Sequence, residues 1–269
     1  MNRISILGCG WSGIALGKHL SAKGYTVKGS TTRLSRMPEI ASNGIIPFHI
    51  HASPVPDGPN LDGFFECDAL VVTLPPPKKG GLKDWAFTVH SAIASKAEEY
   101  GVKKVVLMSS TSVYPSASGD AFEKDAQSFE SPRSGVAMLD IEKCYSNSWF
   151  NKVVLRFGGL FGPGRDPGKF LLPEKQQFNP GSVVNLVHLD DVIGAITWAL
   201  ESNFENEIFN VVSPKETTRK AFYDKAAHLI GIELNWGENI QDLKKVSSKK
   251  IVQSGYVFKH ECALDAIGI

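Results

Sequence analysis

One hexapeptide constrains this chain more than anything else in it. Gly8-Cys9-Gly10-Trp11-Ser12-Gly13 has the spacing G-x-G-x-x-G. It follows directly on a short apolar run, Ile4-Ser5-Ile6-Leu7, and opens a helical pattern with Ala15, Leu16 and Leu20 on one side. Gly24 stops that pattern, and Tyr25-Thr26-Val27 reads as a second strand. Alone, such glycines mark only a turn. Inside a strand–turn–helix–strand unit of about 30 residues they form a dinucleotide-binding fingerprint. Gly8 permits the tight turn, Gly10 lets backbone approach a pyrophosphate, and Gly13 lets helix and strand pack closely. Trp11 and Ser12 open the helix, where unpaired N–H groups and the positive dipole end meet phosphate.

The same rhythm continues. Ile45–Ile50 reads as a third strand, and Ala69–Leu74 as a fully apolar fourth stopped by Pro75-Pro76-Pro77. A helix fits Asp84–Tyr100, a strand Lys104–Met108, a helix Val136–Ser146 and a strand Val153–Arg156. Strands without polar alternation, spaced by helices, imply a parallel sheet covered on both faces. The predicted class is α/β: a Rossmann-type doubly wound parallel sheet with a small C-terminal substrate lobe. Residues 1–157 form the nucleotide-binding domain. Residues 158–269 supply mainly lobe segments, some returning to the first domain, with a helix over Asp191–Glu201, a strand over Ile208–Val212 and a helix over Thr218–Ile230.

Bulk properties exclude other classes. The 269 residues carry a net charge of +1, which argues against nucleic acid or a membrane surface as partner. The densest basic cluster, Lys244, Lys245, Lys249 and Lys250, reads as a solvated surface. No stretch of about 20 apolar residues spans a membrane. Cys9, Cys67, Cys144 and Cys262 show no metal or redox spacing, so free thiols in a reducing cytoplasm are expected. The partner expected is a small-molecule substrate, with an oligomer left open.

The second strand selects the cofactor. An acid near its end would bind the ribose 2′-OH of NAD. This chain reads Val27-Lys28-Gly29-Ser30-Thr31-Thr32-Arg33, with no acid. Ser30, Thr31 and Arg33 suit a 2′-phosphate through hydroxyls and a guanidinium, so NADP is favoured over NAD. Leu74 and Pro75, at the end of the fourth strand, are expected to make van der Waals contact with the cofactor.

Ser109-Ser110-Thr111-Ser112-Val113-Tyr114 resembles the Ser-Ser-x-x-Val-Tyr-Gly stretch of extended short-chain dehydrogenases/reductases, the family of NAD-dependent epimerases and dehydratases. Leu155-Arg156, Leu160–Gly164, Val187–Val192 and Phe209-Asn210-Val211 resemble further family segments, in order, across essentially the whole chain. The wording of Gly162–Phe170 and Asn185–Ile196 is similar to the atypical, YeeZ-like bacterial branch. The resemblance implies a serine that hydrogen-bonds the substrate oxygen, matched here by Ser110. It also implies a Tyr-x-x-x-Lys pair on a helix, for proton transfer. In the register held by Gly135, Leu139 and Glu142, Ser134 stands where the tyrosine would be and Met138 where the lysine would be. A serine hydroxyl is a poor acid near neutral pH, and a methionine supplies neither charge nor donor.

Tyr114 is the substitute proton donor to consider beside its other reading, a residue that shapes the substrate loop. Arg165 and Lys169, in a glycine-rich loop, suit a phosphate or carboxylate. His188, Asp190 and Asp191 read as structural, with an aspartate capping the helix that follows; no metal site is expected. Two functions fit this pattern. One is an epimerase-, dehydratase- or reductase-like enzyme using NADP or NAD on a hydroxylated, anionic small substrate such as a sugar nucleotide. The other is a non-catalytic sensor of the nicotinamide cofactor.

Overall fold

The computed structural model describes residues 1–52, 54–75, 82–116, 119–127, 133–171, 177, 179–238 and 244–268. In chain order the first elements are β1 (Arg3–Leu7), α1 (Trp11–Ala22), β2 (Thr26–Thr31), α2 (Met37–Ser42), β3 (Ile46–His49) and α3 (Leu61–Phe65). Then come β4 (Ala69–Val72), α4 (Leu82–Glu99), β5 (Lys104–Ser110), β6 (Asp120–Ala121), α5 (Arg133–Cys144) and β7 (Asn151–Phe157). The remainder are β8 (Gly159–Phe161), β9 (Leu186–His188), α6 (Leu189–Glu201), β10 (Glu207–Val211), α7 (Arg219–His228), β11 (Lys245–Val246) and α8 (Lys249–Gln253).

The main sheet has seven strands in the order β3-β2-β1-β4-β5-β7-β10. Strands β3, β2, β1, β4 and β5 pair in parallel. The order runs outward from β1 in both directions, which is double winding, and it reverses between β1 and β4. Ligands of such sheets bind in the crevice at that reversal. All four residues of β4 are buried, as an apolar run without alternation requires. The one polar side chain inside β1, Ser5, donates its hydroxyl to the Phe64 carbonyl at 2.6 Å. Helix α5 begins earlier and ends earlier than its apolar pattern suggests. Tyr145 and Ser146 tighten into i→i−3 bonds to Glu142 and Lys143 and leave the helix.

The chain divides into two compact units. The first takes residues 1–110, 133–155 and 196–208; the second takes residues 111–132, 156–195 and 209–269. Within the second, β8 pairs with β9 and β11 with β6, both in parallel. Phe161, Phe222, Ala226, Ala263, Ala266 and Ile267 form a core of its own.

The expected solvated lysine cluster of this unit is corrected by its contacts. Lys244 is half-buried and donates to the carbonyls of Thr111 and Tyr114 at 2.8 and 3.2 Å. Lys245 pairs with Glu216, and the ammonium of Lys250 lies 4.9 Å from the centre of the Phe209 ring. Lys244, Lys245 and Lys250 therefore have different contacts, while Lys249 is exposed as expected.

Candidate functional site

The glycine loop lies between β1 and α1, in the first unit. Gly8 has φ +111°, a conformation that side chains with a Cβ rarely adopt. Its N–H donates to Ser30 Oγ at 2.9 Å, and its carbonyl accepts from Thr73 Oγ1 at 2.6 Å. The loop is thus tied to β2 on one side and to the end of β4 on the other. Gly13 sits where an added Cβ would meet the Gly8 carbonyl oxygen at 2.3 Å, so only glycine allows helix and strand this close. Gly10 differs: an added Cβ there would meet nothing within 4 Å.

That open space faces a helix start without a cap. Gly10 is the N-cap of α1, and no side chain caps it. Among the described residues no acceptor takes the N–H of Ser12 or Gly13, while Ile14 N–H is already bound to the Gly10 carbonyl. Helix starts leave N–H donors that require partners. A pyrophosphate fits this place in charge, in donor supply and in room.

Around the ribose end, the predicted residues divide. Ser30 is buried and its Oγ already accepts from Gly8, so it builds the loop. Thr31 is buried at the end of β2, with Oγ1 accepting the Arg33 N–H at 3.2 Å. Arg33 is exposed. A second guanidinium, not anticipated from the sequence, stands beside it: Arg36 donates Nη1 to the Cys9 carbonyl at 3.2 Å and Nε to Glu39 at 2.9 Å. Its only signal was a second arginine three residues beyond the first.

Cys9, within the loop, is buried. Its Sγ packs where a Cβ on Gly29 would come within 2.4 Å of it. Burial pushes its thiol up to about 12, with Arg36 pulling the other way, so it stays neutral. Leu74 and Pro75 follow Thr73 at the end of β4, partly buried and exposed respectively. The prolines beyond them lie outside the described residues.

Ser110 ends β5 and is half-buried. Its neighbour Ser109 turns away to α5 and donates Oγ to Glu142 Oε1 at 2.5 Å, which explains why the glutamate holds its register on that helix. On α5, Ser134 is exposed and Met138 is buried at 5 % exposure. Tyr145 is sealed in the same unit, its hydroxyl 2.9 Å from His90 Nδ1. Burial brings His90 down to about 4, so that pair is a neutral packing contact.

In the second unit, Tyr114 is fully buried. Its hydroxyl donates to Asn210 Oδ1 at 2.6 Å and accepts from Arg156 Nη1 at 3.0 Å. Burial raises its pKa, with Arg156 opposing. Arg156 also holds the Glu123 carbonyl, and Glu123 Oε1 accepts the Asn210 N–H at 2.9 Å. This network joins the phenol to Arg156, Asn210 and, through them, Glu123. Arg165 and Lys169 are both exposed, and the carboxylate between them, Asp166, caps the short turn Pro167–Phe170 through the Gly168 N–H at 2.9 Å.

The expected aspartate cap on α6 is also corrected. Asp190 and Asp191 both lie inside its first turn. Asp191 instead accepts the N–H groups of Lys259 and His260 at 2.7 and 3.0 Å, clamping the C-terminal segment. Asp190 Oδ2 meets His260 Nε2 at 3.0 Å and Lys259 Nζ at 2.6 Å. His188, Asp190 and His260 bring ligand-type atoms within 4.8 Å of one another, but the Lys259 ammonium already neutralises the shared carboxylate.

Comparison with known proteins places this geometry. No family model matches the chain. Protein YeeZ of Escherichia coli K12 is 34 % identical over 236 residues, covering 87 % of this chain and 85 % of its own length. A short-chain dehydrogenase/reductase superfamily protein of Agrobacterium tumefaciens, solved with bound NAD, superposes with TM-score 0.78 at 16 % identity, covering 98 % of this chain and 95 % of that one. UDP-glucuronic acid 4-epimerase of Bacillus cereus, solved with NAD, gives TM-score 0.77 at 17 % identity, over 98 % and 94 % of the two chains. The chain therefore belongs to the YeeZ family, on the fold of the short-chain dehydrogenases/reductases.

Proposed function

We propose that the first unit binds a nicotinamide dinucleotide, NADP in preference to NAD, and that the chain is an atypical reductase or epimerase-like enzyme for a hydroxylated, anionic small molecule. The observation that carries this reading is the uncapped start of α1 over the open space at Gly10. The relatives solved with NAD on this fold support the class of cofactor. The preference for NADP rests on two guanidiniums, Arg33 and Arg36, after a β2 end without an acid. The nearest acid, Glu39, is held by Arg36.

Bound nicotinamide supplies or takes a hydride; the chain's part is to hold the substrate oxygen and pass its proton. Ser110 is the group for the first task. For the second, Tyr114 is committed to Asn210 and Arg156, so water reaching Ser110 is the proton carrier we favour. A positioned acid or base is typically worth about 10²–10⁴-fold, so turnover is expected to be slow. One feature favours the sensor reading instead: Met138, buried on α5, offers nothing to activate a donor.

The test is hydride transfer in both directions: from 4-deuterated NADPH or NADH to keto sugar phosphates, and from carbon-deuterated hydroxy sugar phosphates, uronates and sugar nucleotides to NADP or NAD. Slow label transfer is expected, falling at least about tenfold in Ser110→Ala for the loss of one hydrogen bond to the reacting oxygen. Saturating cofactor with no label moved in either direction and no epimer formed would reject the enzyme and leave the sensor.

A further inference from the structure

The second unit contains a cavity of about 270 Å³ lined by Thr111, Ser182, Asn185, Arg219, Tyr223 and Lys244 among others. Among the described residues its two cations have no counter-ion. Lys244 spends two of its three donors on the neutral carbonyls of Thr111 and Tyr114, and no described carboxylate lies within ion-pair distance of it. Arg219 stacks its guanidinium 5.0 Å from the centre of the Tyr223 ring, and no described residue accepts a hydrogen bond from that guanidinium. The nearby acid of α7, Asp224, is taken by Lys220 and by Trp236 Nε1.

Removing cations from water is unfavourable unless an anion or a set of acceptors compensates. Here neutral carbonyls compensate one and an aromatic face the other, both around an empty volume with hydroxyl and amide groups on its wall. Ordinary surface lysines and arginines need no such arrangement. Asn185 is itself fixed: its side chain donates to the Lys244 carbonyl at 2.8 Å and accepts from the Val246 N–H at 2.7 Å. That clip sets the Lys244 backbone, so the ammonium is positioned rather than draped.

We propose that this cavity is the anion subsite of the substrate, with Arg219 and Lys244 binding a single phosphate or carboxylate carried on a small hydroxylated body. The volume selects the class. Ligand pockets typically span about 300–1,000 Å³, and this one, at about 270 Å³, falls just below that range, which suits a sugar phosphate or a uronate rather than a larger ligand. This moves the anion site away from Arg165 and Lys169. It rests on the reading that the second unit takes the substrate, but its test needs no turnover.

The full chain is titrated calorimetrically with glucose, glucose 6-phosphate, glucuronate and UDP-glucose, and separately with NADPH. Glucose 6-phosphate or glucuronate is expected to bind at least about tenfold more tightly than glucose, since charge-assisted hydrogen bonds are the stronger class. Arg219→Gln should remove that advantage and leave NADPH binding unchanged. Lys244→Met should do the same. Because Lys244 also ties down two carbonyls, Arg219→Gln is the variant that decides if Lys244→Met unfolds. Equal binding of glucose and the anionic sugars, or anion binding that survives Arg219→Gln, would overturn the proposal. So would UDP-glucose binding more tightly than both small anions. Loss of NADPH binding in the unaltered chain would instead defeat the cofactor reading and leave this one standing.

Discussion

The glycine loop and helix α5 belong to the same compact unit, yet they have kept different amounts of what their fold can do. In the loop every requirement is met by backbone: Gly8 turns with positive φ, Gly13 closes on its carbonyl, and Gly10 leaves room. On α5 the requirement is for two side chains, and neither is present: Ser134 is exposed and Met138 is buried. Binding a dinucleotide depends on loop shape, and shape is maintained by packing against β1, β2 and β4. Proton transfer depends on one phenol and one amine, which can be exchanged without disturbing the helix. On the proposed function, the proton-transfer pair has been exchanged while the loop that would hold the cofactor stays whole.

The largest effect is expected in the loop. Gly13→Ala places a methyl group 2.3 Å from the Gly8 carbonyl oxygen, where backbone must move to admit it. Overpacking of this kind costs about 1–3 kcal/mol, so thermal unfolding should shift down by several degrees and cofactor binding should fall with it. An unchanged melting temperature would mean that the loop is looser than its contacts state.

A smaller effect is expected on the helix. Ser134→Tyr alone, at an exposed position, should change stability by no more than about 0.5 kcal/mol. Adding Met138→Lys puts an ammonium where the native side chain is only 5 % exposed, and a further loss of about 2 kcal/mol is expected in denaturant unfolding. If the missing pair is all that separates α5 from the family's chemistry, the double variant should turn over NADPH with a sugar nucleotide at least about tenfold faster than the unaltered chain. No gain in a folded, cofactor-binding double variant would show that the site differs in more than these two residues.

Much of the first unit was legible because its signals are local. Four buried residues in a row announce β4, and three glycines at fixed spacing announce the loop. The roles of Ser30, Tyr114 and Asp191 were not legible, because each depends on a partner far along the chain. Tyr114 is spoken for by Asn210, 96 residues on, and Asp191 by backbone 68 and 69 residues on. Lys244 looked like one of several surface lysines because nothing in its neighbours reveals that it meets the Thr111 carbonyl 133 residues earlier. Arg36 was hidden by a short 3-10 turn over Leu34–Arg36 that brings it back over the loop to Cys9. Local pattern identifies the scaffold; the second unit is assembled from long-range contacts that no window of sequence contains.

Gly10 isolates the contribution of the loop. An added side chain at Gly10 meets no protein atom within 4 Å, and the backbone there, at φ −80°, suits any residue. Gly10→Val should therefore stay folded, melting within a few degrees of the unaltered chain for the poorer N-cap, while filling the space where pyrophosphate approaches. Calorimetric titration of both proteins with NADPH and NADH tests this directly. The prediction is saturable binding to the unaltered chain, tighter for NADPH, and none to a fully folded Gly10→Val. Folded Gly10→Val that binds either cofactor as well as the unaltered chain, or an unaltered chain that binds neither, would contradict it.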